Sequence, residues 1–118
     1  MCGHGHNASS GPKDIRQHVP KAIEVLNHAT RDLPPDRMRL HLCWGNYPGP
    51  HHKDVELREF IEPVLKTRAT WLSFEAANPR HEHEWEIWED IKLPAGKAII
   101  PGVIDTLTNH VEHPRLVA

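Results

Sequence analysis

The stretch Met38-Arg39-Leu40-His41-Leu42-Cys43 decides how this chain is read. Its residues alternate with a period of two, which is the pattern of a strand. His41 and Cys43 stand two apart and therefore share a face. The ten residues that follow, Trp44-Gly45-Asn46-Tyr47-Pro48-Gly49-Pro50-His51-His52-Lys53, hold several glycines and prolines and form a loop. Two side chains able to bind a metal are thus expected at the C-terminal end of a strand.

Working outward, Val19, Ile23 and Leu26 recur at helical spacing within residues 15–31. Pro20 belongs in a first helical turn, so a firm helix is expected over 19–31, stopped by Leu33-Pro34-Pro35-Asp36. Downstream, Asp54 is a candidate N-cap for a helix marked by Val55, Leu57, Phe60, Ile61, Val64 and Leu65, with Pro63 bending or shortening it. Residues 69–75, Ala-Thr-Trp-Leu-Ser-Phe-Glu, read as a second strand, followed by a loop at Asn78-Pro79. Residues 82–90 are a short charged helix candidate with Trp85 and Trp88 three apart. Residues 97–104, Lys-Ala-Ile-Ile-Pro-Gly-Val-Ile, have the apolar run of a buried parallel strand. Pro101 marks a strand end or bulge there. Residues 112–118 open a further helix. The order α-β-α-β-α-β-(α) predicts an α/β domain built of βαβ units on a parallel sheet.

Residues 1–12 are small and polar, with two Gly-His pairs, and are expected to be a disordered lead-in to a single domain over 13–118. A stray ion on Cys2, His4 and His6 would be weakly held by such a tail. With 118 residues, 14 Lys and Arg against 16 Asp and Glu, and a formal charge of −2, the chain has no electrostatic case for nucleic acid. Its apolar runs are too short to span a membrane, and Met1-Cys2-Gly3-His4-Gly5-His6 has neither the basic nor the apolar region of a signal peptide. A cytoplasmic protein is expected. Cys2 and Cys43 are the only cysteines, and with one of them in the lead-in a structural disulfide is not expected. The 11 histidines are the compositional outlier. They fit either a histidine-rich surface or a metal site.

Glu75 ends the second predicted strand as Cys43 ends the first. Neighbouring strands lie about 4.8 Å apart, so side chains from two adjacent strand ends can converge on one ion. An imidazole nitrogen, a thiolate sulfur and a carboxylate oxygen suit zinc. Parallel α/β folds keep their active sites at this end. The plainer alternative is that Cys43 packs as a small hydrophobe. Three ligands leave a structural tetrahedron incomplete, which disfavours a purely structural zinc.

Three segments carry a family resemblance. Arg39-Leu40-His41-Leu42-Cys43-Trp44-Gly45-Asn46-Tyr47-Pro48-Gly49-Pro50-His51-His52-Lys53-Asp54 resembles the His-x-Cys segment of the cobalamin-independent methionine synthases, most closely their shorter second branch. Leu72-Ser73-Phe74-Glu75-Ala76-Ala77-Asn78-Pro79-Arg80-His81-Glu82 resembles the strand that bears that branch's zinc-binding glutamate. Pro101-Gly102-Val103-Ile104-Asp105-Thr106-Leu107-Thr108-Asn109-His110-Val111-Glu112 resembles its next, Gly-Val-x-Asp strand end. The resemblance runs from about residue 18 to the C-terminus.

The resemblance implies a partial (β/α)8 TIM-barrel segment of about three parallel strands with intervening helices, near strands five to seven of eight. It implies Zn2+ held by His41, Cys43 and Glu75, with the family's last ligand, a cysteine on the final strand, lying beyond this sequence. It implies zinc-dependent methyl transfer from 5-methyltetrahydrofolate to the thiol of homocysteine, or a related alkyl transfer to another thiol. The alternative is a truncated non-catalytic fragment that binds zinc, self-associates, or needs a complementing chain.

Asp105, at the third strand end, is the catalytic candidate: it would accept a hydrogen bond from substrate or orient a histidine. The competing reading is an N-cap or turn aspartate before Thr106. Asn109 and His110 carry the same two readings. His51 and His52 are read as solvated loop residues within reach of the barrel mouth, and His81, His83 and Arg80 as surface. Trp44, Trp71, Trp85 and Trp88 are read as packing residues, Trp44 being placed to wall a pocket.

Overall fold

The computed structural model describes residues 12–45 and 49–118. The expected lead-in therefore lies outside the described residues, except Pro12, which opens the first helix. Asn46, Tyr47 and Pro48 of the expected loop also lie outside them.

Helix α1 spans Pro12–Ala29, longer at its start than the firm helix expected from Val19 onward. Pro20 lies inside it, not in its first turn. Ile23 is buried in the core and Val19 packs against it, while Arg16 on the preceding turn pairs with Glu59. Those tertiary contacts hold the helix across a residue that cannot donate a backbone hydrogen bond. Asn27 fastens the other end: its amide donates to Lys66 O at 2.9 Å and its Oδ1 accepts from Arg68 N at 2.7 Å.

Three short strands follow: β1 at Arg39–Leu42, β2 at Trp71–Glu75 and β3 at Ala98–Gly102. They form one sheet in the order β1-β2-β3, both pairings parallel. The predicted α/β class, strand order and parallel pairing are all present. Leu42 pairs with Phe74 and Glu75 with Gly102. Ala98 N donates to Thr70 O and Gly102 O accepts from Ala76 N, so even-numbered residues of β3 bond to β2. Pro101 has the opposite parity. Its missing N–H falls on the free edge of β3, where no ladder bond is lost.

The connections are more broken than the periodicity suggests. The helix expected after Asp54 is a 3-10 turn at Leu57–Glu59 followed by α2 at Ile61–Val64. The next is a 3-10 segment at Glu82–Glu86 followed by α3 at Ile87–Asp90. A last helix, α4, spans Pro114–Val117, with His113 accepting from Arg115 N as its cap. Pro63 sits in the first turn of α2, where a missing N–H costs no intrahelical bond.

Burial in β2 alternates along the strand, with Leu72 and Phe74 buried and Trp71 exposed. Leu42, Leu72 and Phe74 face Leu57, Ile61, Val64, Leu65 and Ile87, and this is the core. Leu57, Ile61 and Leu72 are fully buried, each stabilising by about 1.5–3 kcal/mol relative to an exposed side chain. Among the described residues the opposite face of the sheet is left largely open, with Arg39, His41 and Trp71 exposed. The 97–104 run was expected to be a buried strand; instead Ile100, in register with Ser73, is 36% exposed on the face that the described residues leave open, and Val103 and Ile104, past the end of β3, are more exposed still. Trp71 and Trp85 are likewise exposed, contrary to the packing role expected of them, whereas Trp88 stacks on Phe74 with ring centroids 5.5 Å apart. No helix among the described residues is long and apolar enough to cross a membrane.

Candidate functional site

The strand parity carries His41, Ser73 and Glu75 to the open face of the sheet. His41 is exposed and pairs in register with Ser73, and its Nδ1 lies 3.2 Å from the Ser73 hydroxyl. Glu75 is the last residue of β2 and half-buried. Cys43, half-buried, stands one residue beyond the Leu42–Phe74 pair and so level with Glu75. The three expected ligands thus occupy one face at the C-terminal ends of two adjacent parallel strands. By donor type they suit zinc. They do not form a ready metal centre: among the described residues no group of three His, Cys, Asp or Glu side chains is arranged to hold one ion.

Asp105 follows β3 and is buried. Its Oδ1 accepts from Leu107 N at 3.0 Å, while its own N–H donates to Glu112 Oε1 at 2.7 Å. One carboxylate oxygen is thereby engaged in an aspartate turn, the arrangement that competes with a substrate-facing role. Asn109 and His110 are exposed.

A second constellation lies in the loops at the same end of the sheet, and here the expectation of surface histidines is overturned. His81 is buried, 5% exposed, and the His51 side chain is 4% exposed. His81 Nδ1 lies 3.1 Å from Glu84 Oε2, and its Nε2 lies 3.2 Å from Asp54 Oδ2. The same Asp54 oxygen lies 2.5 Å from His51 Nδ1. Glu84 also accepts the Leu57 N–H, at 2.6 Å. Trp44 lies flat on the His81 ring, with centroids 3.9 Å apart and planes 18° apart, and its indole N–H donates to Val55 O at 2.7 Å. Asn78 Oδ1 receives the backbone N–H groups of Arg80 and His81 and so sets the turn that aims His81 inward.

Burial disfavours the charged form of His81, but the hydrogen bonds to Glu84 and Asp54 and their charges outweigh it. Its pKa is raised above 6.5. His83, in contrast, is exposed as expected. The signal for this cluster was present as two His-x-x-acid steps, His51 to Asp54 and His81 to Glu84. That the two steps share a carboxylate could not be read from spacing.

Two surface depressions among the described residues lie on the helical side, one beside Glu62, Lys66 and Asp90 and another beside Arg16, Glu59 and Pro63. Compared with protein-family models, with curated proteins and with solved structures, the chain gives no match in any of the three.

Proposed function

We propose that this chain is a zinc-binding segment of a methionine-synthase-like (β/α)8 barrel, acting in methyl or related alkyl transfer to a thiol. The observation that carries the reading is the placement of His41, Cys43 and Glu75 on one face at neighbouring parallel strand ends. The three motif resemblances, in matching order, supply the family and the reaction class.

In this reading Cys43 contributes a thiolate, His41 a neutral imidazole and Glu75 a carboxylate oxygen. His41 already has one ring nitrogen on Ser73, which fixes the ring and leaves the other nitrogen for a ligand. Bound zinc would supply charge that favours the thiolate of an acceptor such as homocysteine. Asp105 would hold the acceptor or the methyl donor through the carboxylate oxygen that does not serve Leu107. Because the three ligands form no ready metal centre, their side chains must turn toward one another when the ion arrives.

A second reading has its own support. The open sheet face favours a segment that binds zinc without catalysing transfer, or that works only once another chain, or a second copy, covers that face.

Zinc titration of the intact chain, with X-ray absorption of the bound metal, tests the site. Cys43→Ser and Glu75→Gln should each weaken binding by more than about a hundredfold, while Cys2→Ser should leave it unchanged. Equal zinc affinity in the Cys43 variant would remove the proposal. Zinc-dependent methylation of homocysteine by the chain separates the enzymatic reading from the binding one.

A further inference from the structure

His81 presents both ring nitrogens to carboxylates, Nδ1 to Glu84 and Nε2 to Asp54, in a buried setting. A neutral imidazole has one N–H and one lone pair. It can satisfy one of those carboxylates but must turn its lone pair on the other. With both acids ionised, the two bonds are made together only by the imidazolium, whose charge also offsets buried Glu84 and half-buried Asp54. The groups facing His81 among the described residues are Asp54, with His51 behind it, from the segment after β1; Glu84 from its own turn; and the uncharged Trp44 ring from the end of β1.

These contacts join the loop after β1 to the loop after β2, which are also tied further along by the exposed Arg58–Asp90 pair at 3.0 Å. Asp54, Val55 and Leu57 lie after β1, and Asn78, His81 and Glu84 after β2. The ties between them run through the two carboxylates, the Leu57 N–H and the Trp44 ring. We propose that this cluster is a proton-held clasp: the His81 imidazolium binds the segment 54–57 to the segment 78–84 and keeps Trp44 seated, and loss of its proton to solvent releases both. The clasp uses none of the proposed zinc ligands, so it stands or falls independently of the metal.

The direction follows from linkage. His81 has its pKa raised by the folded contacts, so the clasp is fully closed below about pH 6.5, the value of the released imidazole. It weakens as pH rises through the folded value. The opening equilibrium grows by up to about tenfold per pH unit across that window and is level on either side.

The test is nuclear magnetic resonance on the intact chain, following the His81 ring nitrogens and the exchange protection factors of Leu57 and Leu72 from pH 5.5 to 9. The expected result is a His81 ring carrying two N–H groups at pH 6, with a midpoint above 6.5. The Leu57 protection factor should fall over the same pH range, while that of Leu72, within β2, stays level. His81→Gln should give low Leu57 protection without pH dependence, and His83→Gln should keep the parent profile. A His81 midpoint at or below 6.5 overturns the clasp, as does Leu57 protection that tracks Leu72 at every pH, or pH dependence lost in His83→Gln. The titration of the unsubstituted chain decides even if His81→Gln does not fold.

Discussion

Two groups of imidazole and carboxylate side chains sit at the same end of this sheet, and they differ in what surrounds them. His81, Glu84, Asp54 and His51 are drawn together within hydrogen-bond distances. His81, Glu84 and the His51 side chain are almost wholly removed from water. His41, Cys43 and Glu75 share one face of the sheet without forming a metal-holding group among the described residues, His41 exposed and Cys43 and Glu75 half-buried. Burial explains the contrast. A charged group taken out of water must find a partner, so the loop residues are locked into mutual contacts. Exposed His41 keeps its water, and half-buried Cys43 and Glu75 keep part of theirs, so that demand is weaker there. The gathered set is therefore read as holding structure, and the strand-face set as able to accept a ligand.

Stability measurements can break that comparison. The largest effect is expected for Glu84→Ala. It removes the partner of buried His81 and the acceptor of the Leu57 N–H, and should cost about 3–5 kcal/mol in urea unfolding. A loss below 1 kcal/mol would mean that the clasp holds little. Gly102→Ala comes next. A Cβ there would stand 3.2 Å from Phe74 O and 3.7 Å from the Glu75 Cα, so the β2–β3 pairing must shift. The expected cost is about 1–2 kcal/mol by thermal melting, and a zinc affinity altered along with it would show that the Glu75 end of β2 matters to the metal. The smallest effect belongs to His41→Ala. His41 is exposed and has only the Ser73 hydroxyl as a hydrogen-bond partner among the described residues, so stability should change by less than about 0.5 kcal/mol. A large loss there would place His41 among the structural residues and remove the contrast between the two groups.

Several features are legible in the sequence. The period of two across 38–43 and 69–75 identified two strands, the βαβ alternation implied parallel pairing, and residue parity put His41 and Cys43 on one face. The helices were less legible. Val55, Leu57, Phe60 and Ile61 suggested one helix, yet the chain makes a 3-10 turn and then four helical residues. Leu57 is pulled fully inside while its N–H goes to Glu84, 27 residues away, and no local periodicity encodes such a bond. Asp105 was readable in both of its roles, and only the loop's closure by Leu107 N and Glu112 showed how one of its oxygens is used.

By itself, then, the sequence determined what depends on the nearest neighbours along the chain: which residues extend, which side of a strand each faces, and that three potential ligands lie near strand ends. Tertiary structure alone decided that the His51 and His81 side chains are buried around a shared carboxylate, that the described residues leave one face of the sheet open, and that the three candidate ligands form no ready metal centre among them. Alternation is a local property of the backbone, whereas burial depends on which distant loops meet, and a histidine looks the same in sequence whether it meets water or two acids.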